Sequence, residues 1–307
     1  MNHKTGRSEH LIKPTDEPSL APTIRAQSVE TIALTEEKMQ WLRLKILLAF
    51  LLLCLLPTEH LLAEDNSARS IMEKVESRDD GNNAIINLDM TLIDKNGKKR
   101  IRKIRSFSKD VGKDEYSSMF FLKPPEVKDT AFLNIEYDDE NKNDEQYLYL
   151  PALHKIKRIS SSDKTDSFMG SDLTYADMAR LDLDQYNFSI IKETSIRDKP
   201  VWVIKSIPLN KKTIKETGYL ESIFFVDKSN YVIVRAIRKL EGGSKIKFTD
   251  IKGLKKIQGI WTPTETHIFM KKGKKLVHQT ILKSSNIKYN QEIKEELFKA
   301  GSFTKGL

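Results

Sequence analysis

Residues 147–177 read YLYLPALHKIKRISSSDKTDSFMGSDLTYAD. The stretch opens as a strand, with Tyr147, Leu148, Tyr149 and Leu150 ahead of the turn signal Pro151. It closes with the signs of a helix start. Thr174 and Asp177 stand at capping-box spacing, and Leu173 and Met178 occupy the two staple positions around them. Between these ends lies SSSDKTDSFMGSD, a serine-rich loop containing Gly170. Such a loop holds either a reactive group or a hinge, and the rest of the chain decides between them.

A reactive serine needs partners that this chain lacks. Ser161 to Lys164 matches S-x-x-K, but that chemistry also requires S-D-N and K-T-G elements. No S-D-N occurs, and K-T-G appears only at Lys4-Thr5-Gly6, near the N-terminus. There is no G-x-S-x-G, phosphate-binding loop or dinucleotide fingerprint. His154, His267 and His278 each stand alone, without the spacing that converges on a metal. Asp138, Asp139 and Glu140 before Asn141 read as a solvated turn, since the spacing of a calcium loop is missing. We therefore expect no catalytic residue, metal or cofactor, and a protein that is not an enzyme.

Upstream, residues 46–56 read ILLAFLLLCLL, preceded by Arg43 and Lys45 and followed by Pro57. The run is short of the roughly 20 residues of a spanning helix. It fits the apolar region of a secretory signal peptide over 43–63, with cleavage after Ala63; an uncleaved anchor is the alternative. Residues 1–42 are polar, with Pro14, Pro18 and Pro22, and read as a disordered tail or as an extension ahead of a start at Met39. Cys54 is the one cysteine and sits within the apolar run, so residues 64–307 have no disulfide or thiolate chemistry. Residues 64–307 read as a single domain. Residues 1–63 hold seven basic and seven acidic residues, so the remainder carries the whole net charge of +9. An anionic membrane surface suits that charge, and export argues against nucleic acid.

Downstream of the signal the pattern is β. Ala84, Ile86, Leu88, Met90 and Leu92 alternate with a second set of residues, and Asn96-Gly97 predicts a two-residue hairpin into the basic stretch Lys98 to Ser108. Strand-like runs then recur through Ser284 at short spacing, ten to twelve in all, which predicts an antiparallel meander closing toward a barrel. Helices are expected at Asn66–Ser77, after Gly170 and at Gln291–Ala300, the last with Gly301 as its C-cap.

Two segments carry a family resemblance: FFLKPPEVKDTAFLNIEY (120–137) and DEQYLYLPALHKIKRISSSDKTDSFMGSDLTYADM (144–178). Their order of proline-bearing strand exit, V-K-x-T-A-F-L strand, aspartate-rich turn, Y-L-P-A-L and S-F-M-G-S-D-x-T-Y resembles the LolA-like family of outer membrane lipoprotein-sorting proteins. The resemblance implies a mainly β (α+β) periplasmic fold: a curved, incomplete antiparallel barrel of roughly eleven strands, with lid helices over a hydrophobic cavity. It implies a lipid or lipoprotein acyl chain as cargo and an RND-type inner-membrane transporter as partner. On this basis SSSDKTDSFMGSD is a mobile connection to a lid, with Ser167, Phe168, Met169, Gly170 and Tyr175 as its hinge and lid residues. Candidate cavity residues on the apolar strand faces are Ile86, Leu88, Met90, Phe120, Leu122, Leu148, Leu150, Phe224 and Val234, each of which a packed core would equally explain. Arg100, Arg102 and Arg105 are candidates for headgroup or membrane contact. LolA holds its lid with a sheet arginine, and which of these three would correspond stays open. The alternative is a non-carrying subunit that docks on an envelope transporter.

Overall fold

The first hairpin shows how local side chains reshape a turn. In the computed structural model, which describes residues 38–41, 45, 67–139 and 141–307, β1 (Asn83–Asp94) returns as β2 (Lys99–Val111). The expected two-residue turn is replaced by a wider loop of Lys95, Asn96 and Gly97. The Asp94 carboxylate accepts from the amides of Asn96 and Lys98 at 2.8 and 3.0 Å, and its carbonyl accepts from Gly97 N at 3.0 Å. That Asx turn leaves only Gly97 with a positive φ, +81°.

Eleven further strands follow: β3 (Asp114–Lys123), β4 (Ala131–Glu136), β5 (Glu145–Leu150), β6 (Lys155–Arg158), β7 (Tyr186–Ile196), β8 (Lys199–Pro208), β9 (Tyr219–Asp227), β10 (Ile233–Leu240), β11 (Lys245–Ile257), β12 (Ile260–Lys272) and β13 (Lys275–Tyr289). The described residues thus hold thirteen strands rather than roughly eleven. The clearest addition is β6, a four-residue basic strand too short to show a period. All join one antiparallel open sheet in the order β6-β5-β4-β3-β2-β1-β13-β12-β11-β10-β9-β8-β7. The first and last strands meet at its centre, with Met90 opposite Leu282. Its two edges, β6 and β7, are neighbours in sequence. Residues 159–185, the second half of the opening stretch and its continuation, therefore run from one edge of the sheet to the other. We call this segment the strap.

Helix is scarce. α1 (Ala68–Glu76) forms where expected, and the Ser67 hydroxyl accepts from Ser70 N at 3.1 Å as its cap. α2 (Lys211–Thr217) was not signalled by its apolar content; Asn210 caps its start and Gly218, at φ +76°, ends it. The helix expected after Gly170 is absent. Single 3₁₀ turns at Phe168–Gly170 and Ala176–Met178 take its place. The capping bonds do form, with Asp177 Oδ2 accepting from Thr174 N at 2.8 Å. However, the amides of Tyr175 and Ala176 donate to the carbonyls of Asp166 and Lys164, and Ala179 is extended. Those two amides have no intrahelical acceptor at a helix start in any case; the extended backbone at Ala179 is what ends the turn. The expected C-terminal helix is likewise two 3₁₀ turns, Glu295–Phe298 and Ala300–Lys305, with Gly301 inside the second rather than at a cap.

Alternation gives the sheet two apolar faces. The strap and α1 cover the inner one. Beneath the strap lie Met90, Leu92, Ile104, Phe121, Phe132 and Leu148. Beneath α1, whose Ile71 and Met72 are fully buried, lie Trp202, Ile204, Phe224, Val226 and Ala236. One inner row links the two through Leu92, Thr280, Ile268, Thr249, Ala236, Phe224 and Ile204, each opposite the next. On the outer face Phe107, Phe120, Leu133 and Tyr149 pack under Ile293, Phe298 and Phe303 of the C-terminal turns.

By compactness the chain divides into Met1–Ala63 and Glu64–Leu307. In the first unit residues 38–41 and 45 are helical and exposed. The apolar run 46–56, Cys54 and the expected cleavage after Ala63 lie outside the described residues. No helix among the described residues is long and apolar enough to cross a membrane.

Candidate functional site: the strap and the face beneath it

The strap begins at Ile159, which is buried against β5, and inserts two aromatic side chains into the inner face. Phe168 is fully buried and meets Phe132 edge-on at 5.1 Å between centroids; Tyr175 meets Phe168 at 5.6 Å. Edge-on geometry sets the positive ring edge against a negative face and adds to the burial. Met169, at φ +51°, and Gly170, at φ +72°, make the tight turn that drives Phe168 inward. Ser167 closes that turn: it forms a β-bridge with Thr174, and its hydroxyl donates to Ser171 O at 2.6 Å.

Polar bonds then tie the strap to the sheet at five places. Arg102 of β2 donates to Met169 O, and its guanidinium lies over the Phe121 ring. The Asp172 carboxylate accepts from Thr280 Oγ1 at 2.7 Å and contacts His278 Nδ1 at 2.8 Å, both on β13. Gln146 and Asn134 donate to the carbonyls of Tyr175 and Met178 at 3.0 and 3.3 Å. Glu136 of β4 accepts from Arg180 N and Nε at 2.8 and 3.2 Å.

The fifth tie is the most deeply buried. Lys247 Nζ of β11 donates to Asp177 Oδ2 and to Tyr219 OH, each at 2.6 Å, and Tyr219 OH donates to Asp177 Oδ1 at 2.6 Å. The Lys247 side chain is 1% exposed. Burial pushes the Asp177 carboxyl up, but Lys247 and Arg238 outweigh it and hold the group below the ordinary carboxylate range. Burial lowers Lys247 and raises the Tyr219 phenol, to which the adjacent Asp177 charge adds. In geometry the set is a buried ion pair with a phenol completing its bonds.

Near the strap's end the charge balance differs. Burial and the neighbouring Glu136 raise Glu115 to about 7. Burial raises Glu136 as well. Arg180 lies 3.4 Å from Glu115 and 3.2 Å from Glu136, and bridges both.

The residues singled out from sequence fall in several places. Leu88, Met90, Leu148 and Leu150 come together with Phe168, Met169 and Tyr175 in one inner cluster. Phe224 lies in the inner cluster under α1. Ile86 packs near Ala84, Ile260 and Tyr289. Phe120 is on the outer face under Phe303, Leu122 is partly exposed at the end of β3, and Val234 packs with Val201, Val232 and Ile251. Arg102 reaches the strap, Arg100 is exposed, and Arg105 lines an outer groove of about 540 Å³ with Lys288 and Gln291. Sequence reasoning missed the partners Asn134, Gln146, Tyr219, Lys247, His278 and Thr280, because each lies tens of residues from the strap position it holds. Among the described residues no group of three or more His, Cys, Asp or Glu is placed to hold a metal.

This architecture has known counterparts. A DUF1329 family protein from Desulfovibrio piger is 26% identical, with a TM-score of 0.70 over 77% of this chain and 97% of that one. A domain from Vibrio parahaemolyticus, named for outer membrane lipoprotein sorting, is 26% identical, with a TM-score of 0.69 over 77% and 98%. A LolA superfamily protein from Nitrosomonas europaea shares the fold at 19% identity, with a TM-score of 0.56 over 76% and 97%. No curated protein matches. A family model with the description "Uncharacterized protein" matches residues 113–305, more than half of the chain. The chain belongs to that family, and its fold is LolA-like.

Proposed function

We propose that the chain is a periplasmic carrier that shields an acyl chain of a lipid or lipoprotein on the inner face, with the strap as its lid. The observation that carries this reading is the edge-to-edge strap itself. It covers an apolar face yet contains only single 3₁₀ turns, and directional polar bonds hold it in place. Bonds of that kind exchange with water at a net cost of about 0.5–1.5 kcal/mol each. An acyl chain taking the place of Phe168 meets Leu88, Met90, Phe121, Phe132 and Leu148. At about 0.8 kcal/mol per methylene, some four methylenes match the burial of a phenylalanine side chain. The buried Asp177–Lys247 pair is the fixed end, and the turn around Phe168 is the moving part. The named role of the Vibrio relative in lipoprotein sorting favours the same cargo class.

In this reading the N-terminal signal exports the chain and is removed after Ala63. The carrier then works between an RND-type inner-membrane transporter and an anionic membrane, by binding alone and without catalysis.

One observation favours a second reading. The chain's own Phe168 and Tyr175 fill the inner face, as they would in a docking subunit that carries nothing. Native mass spectrometry of the chain purified from a bacterial periplasm without detergent separates the two. A stoichiometric lipid or acylated-peptide adduct is expected. A clean apo mass, with no uptake of offered lipid, transfers the case to the docking subunit.

A further inference from the structure

Two neighbouring hairpin tips at one end of the sheet are strongly basic, and its topology makes this visible. In an antiparallel sheet alternate turns share an end. The β1–β2 and β12–β13 hairpins are adjacent, since β1 pairs with β13 and Asp94 stands opposite His278. Their tips read KNGKKR (95–100) and KKGKKL (271–276), without one acidic residue. Register sharpens the charge: Lys245 faces Lys272, which faces Lys275, and beyond β1 Lys103, which also pairs with Asp89, faces Lys123. Like charges directly opposite cost stability. Among the described residues, Lys98, Lys99, Arg100, Lys272, Lys274 and Lys275 make no ion pair. The far end carries DDENKNDE (138–145) between β4 and β5.

Aliphatic side chains are exposed at the same end of the sheet: Ile101 beside Arg100 is 55% exposed, Leu276 beside Lys275 48%, and Leu153, at the tip between β5 and β6, 67%. Lysines interleaved with exposed aliphatics at one rim match an interface with anionic headgroups over acyl tails, where each cation near the surface and each inserted side chain adds to binding. The strap's inward turn lies behind this rim, through Arg102 to Met169 and His278 to Asp172.

We infer that this hairpin-tip rim is the membrane-docking surface of the protein, and that its partner is an anionic phospholipid bilayer. The inference rests on the carrier reading for its use, because it sets the lid turn facing the bilayer that gives or takes the acyl chain. An acidic protein face is the competing partner for the same charge.

The test uses the chain purified from a bacterial periplasm, as for the mass measurement, in a Cys54→Ser background, with an environment-sensitive dye on Leu153→Cys or, at the opposite end, on Asp139→Cys. Vesicles of phosphatidylglycerol and phosphatidylethanolamine are compared with phosphatidylcholine at low and raised salt. The expected result is a blue shift at position 153 alone, on anionic vesicles alone, and lost with salt. Lys272→Glu with Lys274→Glu and Lys275→Glu weakens the salt-sensitive partition at least tenfold. Equal binding to both lipids, a shift at 139 instead of 153, or partition unchanged by the triple reversal overturns the proposal. So does indifference to vesicles at low salt, which leaves the rim to an acidic protein. Fluorescent fatty-acid binding without vesicles tests the carrier reading separately. The triple variant keeps that binding, and its absence in the parent chain sinks the carrier while leaving a position-153 shift to support docking.

Discussion

The two faces of the sheet are covered in different ways. On the outer face the C-terminal turns seal the sheet with aromatic side chains: Phe303 meets Phe120 edge-on at 5.4 Å, and Phe298 meets Tyr116 at 6.4 Å. Their backbone bonds are local, as in Leu297 N to Lys294 O and Ser302 N to Lys299 O. On the inner face the strap adds five polar ties to a comparable aromatic plug. Apolar burial is non-directional and tolerates small shifts, whereas hydrogen bonds specify a single seating. The outer cover is thus a seal. The strap is held in one defined seating, as the lid of the proposed carrier would need.

Breaking the buried tie has the largest expected effect. Lys247→Met leaves Asp177 buried without its cation and is expected to destabilise the chain by about 3–5 kcal/mol. Adding Asp177→Asn recovers most of that loss, as read by urea unfolding. A single substitution costing under about 1 kcal/mol removes the anchor role.

The two aromatic plugs come next. Phe303→Ala and Phe168→Ala are each expected to cost about 3–4 kcal/mol. Only Phe168→Ala is expected to speed uptake of a fluorescent fatty acid, because it vacates the inner face. Equal uptake rates in the two variants erase the distinction between seal and lid.

The Glu115 site tests the strap's end by pH. Its folded pKa of about 7 lies above the unfolded value near 4.5. The folded state therefore binds the proton more tightly, and this group's contribution falls as pH rises through that window. Glu115→Gln is expected to be more stable than the parent at pH 8 by about 1–2 kcal/mol after solvent screening, and to differ little at pH 4. A pH-independent difference between the two rejects the assignment.

The smallest expected effect is at the strap's turn. Asp172→Asn keeps one acceptor for Thr280 and weakens the contact with His278, at a cost of about 1 kcal/mol. Faster amide exchange at residues 168–174, with protection of 297–303 unchanged, is the expected signature. A uniform loss of protection makes the two covers equivalent.

Much of this was legible in order along the chain. Alternation from Ala84 to Leu92 located β1, and similar runs located most later strands, because period-2 burial is a local property of the residues themselves. The capping pair Thr174 and Asp177 is bonded, as its spacing predicts. It opens only one 3₁₀ turn because the backbone is extended at Ala179, and Asp177 also serves Lys247 and Tyr219, which lie 70 and 42 residues away. Phe120 and Leu148 looked alike in sequence, yet one faces the C-terminal turns and the other the strap. Alternation separates faces within a strand and does not say which face of one strand continues that of the next.

By itself, then, the sequence determined a mainly β chain of short antiparallel strands, a basic charge, an apolar N-terminal run and the family pattern across 120–178. Only the tertiary structure decided that β6 and β7 are the two edges, so that a serine-rich loop becomes an edge-to-edge strap. It also decided which buried polar groups receive that strap. Strand pairing across the centre and ties between residues tens of positions apart are settled by the mutual satisfaction of distant donors, acceptors and apolar faces, and no local period encodes those.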